Sequence, residues 1–85
     1  MNVTAPEWLS KRGGSLKTGY DQHTCLMILR GEPQYALVPA PTAGKYSCLI
    51  TQTINSRHVP ASGTFPTPED AIRGGLEDLR KHLGW

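Results

Sequence analysis

The strongest local signal in the sequence is a capped amphipathic helix, predicted over residues 68–83. Thr67 is a typical N-cap residue, Pro68 suits the first helical position, and Gly84 suits the C-terminal stop. Acidic residues in the first turn and basic residues in the last turn agree with the helix dipole. The residues that form its apolar stripe are Ala71, Ile72, Gly75, Leu76, Leu79 and Leu83. The rest of the chain must supply the surface that covers this stripe.

Two adjacent glycines, Gly74 and Gly75, lie in the middle of this helix. Each costs about 1 kcal/mol relative to alanine in a helix interior. A bare helix surface at Gly75 lets the helix lie close to a sheet. We therefore interpret the pair as a packing feature rather than as a site where a ligand meets the backbone.

The segments before this helix carry strand patterns. Residues 23–30 contain an unbroken apolar run, which is typical of a buried strand, and residues 34–39 follow after a short break that predicts a hairpin. Residues 45–55 alternate, as a half-buried antiparallel strand does. A short return strand is predicted within 57–65.

The segment from Pro39 to Gly44 is predicted to be a loop, because its two prolines cannot donate to a strand ladder. In the alternating strand, Ile54 shares the apolar face with three other residues, and Leu49 is the only apolar residue on the opposite face.

A short N-terminal helix over residues 4–12 is predicted from the capping-box spacing of Thr4 and Glu7 and from the stop at Gly13. Residues 17–22 are polar and predict a loop or a ragged first strand. The sequence thus predicts one α+β domain over 1–85. Its architecture is a two-layer sandwich, with an antiparallel sheet of three or four strands, a long C-terminal helix and a short N-terminal helix.

Length and charge exclude several classes of protein. The chain has 85 residues and a formal net charge of +2. No apolar run approaches the roughly 20 residues of a membrane-spanning helix, so we expect no membrane partner. The N-terminus has no apolar signal region, which favours a cytoplasmic protein. Cys25 and Cys48 form no CxxC motif and are expected to be reduced core thiols, although a disulfide between neighbouring strands is left open.

The residues that could carry chemistry are few. Asp21, His23 and Cys25 occupy alternate positions and form the only cluster that resembles a metal site. We interpret Cys25 as a buried residue rather than as a ligand. The sequence contains no nucleophile motif and no phosphate-binding glycine loop. We therefore predict no catalytic residues, no metal, no cofactor and no enzymatic activity.

Four segments occur in a recognisable order: Pro33-x-Tyr35-x-Leu37-Val38, Lys45-Tyr46-Ser47-Cys48-Leu49-Ile50, Ser62-Gly63-Thr64-Phe65, and Ala71 in the final helix. Together they resemble the β-β-β-α part of the double-stranded RNA-binding domain, and the N-terminal helix would complete its order of elements. The resemblance implies RNA binding. That family begins its last helix with a lysine cluster that grips phosphates, whereas this chain has Thr67-Pro68-Glu69-Asp70 there.

The segment from Gly63 to Ile72, with Leu76 and Leu79 beyond it, is similar to the strand-to-helix junction of the HicB-type antitoxin domain. That resemblance implies a small β-β-β-α module that binds a protein partner. The glycine-and-cysteine turn of that family, and its separate DNA-binding segment, have no counterpart in this sequence.

The prediction for function is a non-catalytic binding module that takes a protein partner or a second copy of itself. Cys25 to Leu29 is apolar on both faces, yet one helix layer covers only one face of a sheet. Either the N-terminal segment, through Trp8, Leu9 and Leu16, or another chain must cover the second face. The candidate interface residues are Trp8, Leu26, Ile28 and Trp85.

The alternative prediction is nucleic-acid binding, through a fold like the double-stranded RNA-binding domain but without its lysine cluster. The basic charges are spread along the chain, with no run of five or more. The candidate contacts are Lys11, Arg12, Lys17, Lys45 and Arg57.

Overall fold

The computed structural model of the protein describes residues 3–18, 24–59 and 61–85. They form two layers, an antiparallel sheet and a long helix on one of its faces, which confirms the predicted α+β class. The sheet has five strands rather than three or four, and they lie side by side in chain order. The elements are α1 (Glu7–Ser10), β1 (Ser15–Thr18), β2 (Cys25–Leu29), β3 (Glu32–Thr42), β4 (Lys45–Gln52), β5 (Arg57–Val59) and α2 (Pro68–Leu83).

The long helix α2 has the predicted bounds, because its end signals are local. The side-chain oxygen of Thr67 accepts a hydrogen bond from the backbone N–H of Asp70 at 3.1 Å. Gly84 follows the helix with φ of 76°, the left-handed conformation in which glycine is favoured. Its stripe of Ala71, Ile72, Gly75, Leu76 and Leu79 is buried against the sheet.

The hydrophobic core lies between α2 and the sheet. Its centre is made by side chains with essentially no exposed surface: Leu9, Met27, Leu37, Ile50, Ile72 and Leu79. These residues come from α1, three strands and α2, so the core connects the N-terminal helix to the rest of the fold.

Strand β3 corrects the prediction of a loop from Pro39 to Gly44, because it continues to Thr42. Its ladder with β2 ends at Leu37, whereas its ladder with β4 continues to the end of the strand. Pro39 and Pro41 are two residues apart, so both nitrogens face the same side of β3. We assign that side to the β2 edge, where no neighbouring strand needs a donor beyond Leu37.

Strand β1 pairs with β2 although its sequence has no alternation, since a strand already in place supplies the hydrogen-bonding partners. The N-terminal helix is shorter than predicted: Pro6 stands at its N-cap without a side-chain cap, and Gly13 ends the turn with φ of 75°. Strand β4 ends at Gln52. The expected burial of Ile54 is therefore wrong, and this side chain is 82% exposed in the turn that follows.

No helix in the described parts of the chain is long and apolar enough to cross a membrane.

Candidate functional site

The face of the sheet opposite α2, called the open face below, is apolar at its centre. Successive side chains of a strand point to opposite faces, so the residues between the core positions point away from α2. None of these side chains joins the hydrophobic core. The central apolar residues of the open face are Leu26, Ile28, Ala36, Val38 and Leu49.

The strand register arranges the open face in rows. One row crosses all five strands, with Leu26 and Ala36 inside, a lysine at the β1 edge and a histidine at the β5 edge. In the next row Val38 pairs with Leu49, which is 51% exposed. The full first row is Lys17, Leu26, Ala36, Thr51 and His58. The patch is therefore apolar in the middle and polar or basic at its rim.

The N-terminal segment does not cover this patch, which corrects one of the two alternatives for the second face. Leu9 is fully buried in the core between α2 and the sheet, and Leu16 pairs with the core residue Met27. Trp8 also packs against that core. Neither described helix lies over the open face, so Leu26 and Ile28 remain without a covering layer in the described structure.

The four candidate interface residues therefore separate into two places. Leu26 and Ile28 belong to the open face. Trp8 and Trp85 meet at the other layer, with their ring centroids 6.0 Å apart at 61°. Sequence reasoning missed Ala36, Val38 and Leu49, although the isolated apolar residue on the polar face of residues 45–55 was a usable signal for Leu49.

The five basic candidates do not come together either. Lys17 and Lys45 lie on the open face at separate strands, whereas Arg57 lies on the helix side at the β5 edge. Lys11 and Arg12 follow α1. The Lys11 ammonium pairs with the Glu7 carboxylate at 3.2 Å, and the Arg12 guanidinium carbon lies 4.5 Å from the ring centroid of Trp85.

The two cysteines are free thiols on the helix side of the sheet. Cys25 is on β2 and Cys48 on β4, with β3 between them, so the alternative of a disulfide across neighbouring strands does not apply. Burial raises the pKa of the Cys25 thiol to about 11 and that of the Cys48 thiol to about 12. Negative charge on Cys25 and Asp78 adds to the effect at Cys48. Neither thiol is activated as a nucleophile.

The Asp21, His23 and Cys25 cluster can be followed only at Cys25, since Asp21 and His23 lie outside the described residues. Within residues 3–18, 24–59 and 61–85, no three His, Cys, Asp or Glu side chains converge as metal ligands.

Comparisons with protein-family models, with curated proteins and with solved structures find no match to this chain.

Proposed function

We propose that the protein is a non-catalytic binding module that docks a protein on its open face, and that the occupant is a second copy of the same chain. The observation that carries the proposal is the contiguous apolar centre of that face, left uncovered by both described helices. Contiguous apolar patches larger than a few hundred Å² are rare on monomeric soluble proteins and mark interaction sites.

The size of the open face fits a second copy. The five strands contain 31 residues. At a rise of about 3.3 Å per residue and a strand spacing of about 4.8 Å, they give a face of at most about 500 Å². Two such faces would bury about 1,000 Å², which is at the lower end for a specific interface. The proposal is therefore a reversible dimer in which two sheets pack face to face.

The side chains of the open face suit sheet-on-sheet packing better than nucleic-acid binding. Its described residues include no Phe, Tyr or Trp ring on which a base could stack; the one aromatic ring is the imidazole of His58 at the β5 edge, and no group of arginines converges there. Lys17 and Lys45 stand at its margins, where long side chains extend into solvent. In the dimer these like charges repel weakly, so added salt should favour association.

The test is the molar mass by light scattering after size exclusion, over a range of protein concentrations at low and high salt. We expect a mass above the 9.3 kDa of one chain that rises with concentration and persists in high salt. Leu49→Lys places a charge at the apolar centre and should give a monomer.

The matched control is Ile54→Lys, because Ile54 is equally apolar and more exposed but lies in a turn outside the open face. It should leave the mass unchanged. A wild-type mass of one chain at every concentration contradicts self-association. Binding of duplex RNA that weakens steeply with salt would support the nucleic-acid alternative instead.

We also infer a cytoplasmic, reducing setting for the protein. The placement of Cys25 and Cys48 supports it, because small domains of oxidising compartments are commonly stabilised by disulfides, whereas these two cysteines lie on strands that are not neighbours. Alkylation of the protein directly on cell lysis, followed by its intact mass, should show both thiols labelled once the chain is unfolded. A mass that lacks both labels would contradict a reducing setting.

A further inference from the structure

A second candidate site, which is concave, lies on the helix side of the sheet, beside the end of α1 and the turn between β2 and β3. It is a cavity of about 560 Å³ that opens to solvent. This volume falls within the range of about 300–1,000 Å³ that is common for small-molecule sites. Its lining residues are Lys11, Arg12, Leu29, Arg30, Gln34 and Trp85.

The lining is strongly basic. Three of the six lining side chains are cations and none is a carboxylate. Lys11 pairs with Glu7, but both of these side chains are largely exposed, so the pair is weak. Within the described residues, no carboxylate pairs with Arg12 or Arg30. The cavity therefore concentrates positive charge in a protein whose net charge is only +2.

Arg12 is held in place without losing its hydrogen-bond donors. Its guanidinium lies 4.5 Å from the centroid of the Trp85 ring. Trp85 is itself held by the edge contact with Trp8 and by a hydrogen bond from Arg80 Nη1 to its backbone carbonyl oxygen at 3.2 Å. A cation–π contact leaves the guanidinium N–H groups available to an anion.

Arg30 is fixed by the backbone of the hairpin. It has φ of 55° and is followed by Gly31 with φ of 80°, a pair of left-handed residues typical of a tight two-residue turn. Ala43 adopts a similar φ in the next hairpin, so this conformation is a property of the turn. The turn places the base of the Arg30 side chain at a defined position on the cavity rim.

The other side of the cavity is not charged. Leu29 and the half-buried Trp85 supply apolar surface, and Gln34 supplies an amide. The pairing of β2 with β3 shifts register beside Gln34, so this residue has no partner on β2. A bare inorganic anion would leave this surface unused.

We propose that this cavity binds an organic phosphate of nucleotide size. Arg12 and Arg30 provide forked donors that match phosphate oxygens, and Lys11 adds a third positive charge. The flat or apolar part of the ligand lies against Leu29 and Trp85. A free nucleotide and the terminal phosphate of a nucleic-acid strand offer the same chemistry, and the titration below distinguishes them.

The experiment is a titration with adenosine monophosphate, followed by the indole N–H signals of Trp8 and Trp85 in two-dimensional NMR. We expect a saturable shift of the Trp85 signal. Inorganic phosphate and adenosine, each lacking half of the ligand, should bind at least tenfold more weakly.

The informative variant is Arg30→Asn. Asparagine suits the positive φ of this turn, so the variant should fold, while the loss of the cation should weaken binding about tenfold. Arg57→Gln is the matched control, because it removes the same charge at the far edge of the sheet. It should change the affinity less than twofold.

Four results would overturn the proposal: no saturable shift at millimolar nucleotide, an Arg30→Asn variant that binds as wild type does, equal weakening by Arg57→Gln, or equal affinity for inorganic phosphate. Equal affinity for inorganic phosphate would reduce the site to an adventitious ion only. Tighter binding of a 5′-phosphorylated oligonucleotide than of its unphosphorylated form supports the site and identifies a strand end as the source. The Leu49→Lys variant should bind nucleotide normally, so failure here is separate from failure of the dimer.

Discussion

At the level of single residues, the two cysteines show how burial in a sheet disfavours the reactive thiolate form. Cys25 and Cys48 each lie in a strand, facing α2, with 6% and 7% of their surface exposed. Burial is the main cause of the raised pKa at both thiols, since a thiolate loses its hydration there. They contribute packing rather than nucleophilic chemistry.

These pKa values predict a loss of stability at alkaline pH. In the unfolded chain a thiol titrates near its ordinary value of 9.0, but in the folded protein near 11 or 12. The unfolded state therefore releases protons first. The contribution of the thiols to stability is complete below pH 9 and is lost as the pH rises from 9 towards 12.

The measurement is urea unfolding at pH 8 and pH 10, on the wild type and on the double variant Cys25→Ala, Cys48→Ala. The wild type should lose more free energy of unfolding than the variant between these pH values, by at most about 1 kcal/mol per thiol. An equal loss of free energy of unfolding in the wild type and the variant would contradict the raised pKa values of the folded thiols.

At the level of elements, the approach of α2 to the sheet depends on one of the two adjacent glycines. A methyl group on Gly75 would overlap Cys48 Sγ and lie 2.9 Å from Cys48 Cβ. A methyl group on Gly74 would meet only the outer ring atoms of Phe65, whose side chain is half-buried and able to move. The expectation that Gly75 lets the helix lie close to the sheet is confirmed.

This difference predicts opposite effects for two neighbouring substitutions. Gly75→Ala should destabilise the protein by about 1–3 kcal/mol, because overlap with β4 outweighs the helix propensity gained. Gly74→Ala should range from no change to a gain of about 1 kcal/mol. Thermal and urea unfolding of both variants measures the change in free energy of unfolding. A Gly75→Ala variant more stable than the wild type would contradict the close helix–sheet contact.

At the level of the whole molecule, the two faces of the sheet differ in what covers them. Both described helices lie on one side, where the charged surface of α2 includes Glu69, Asp70, Glu77 and Asp78. The described residues of the open face include no carboxylate. The described helices thus cover one face of the sheet, whereas the apolar centre of the open face has no covering layer in the described structure.

A dimer through the open face makes stability depend on concentration, because association favours the folded state by mass action. The midpoint temperature of wild-type unfolding should rise by a few degrees over a hundredfold increase in protein concentration. The midpoint of Leu49→Lys should not move. A wild-type midpoint that is independent of concentration would contradict the dimer even if scattering were ambiguous.

Local patterns were sufficient for α2 and for the part of the predicted strand 45–55 that ends at Gln52. The caps at Thr67 and Gly84 satisfy backbone groups within a few residues, and the alternation around Cys48 and Ile50 reflects a single sheet face. These signals act over short distances along the chain, so they can be read without knowing what each element touches.

Distant contacts determined the rest. Pro39 and Pro41 lie in strand β3 because only one edge of β3, the edge that pairs with β4, needs backbone donors there. Leu9 lies in the core because α1 folds towards α2. The basic cavity joins Arg12 to Trp85, from opposite ends of the chain. A local pattern predicts which residues are buried or paired. Only the folded chain sets which side they are buried on and which partner they meet, because that choice depends on residues far away in sequence.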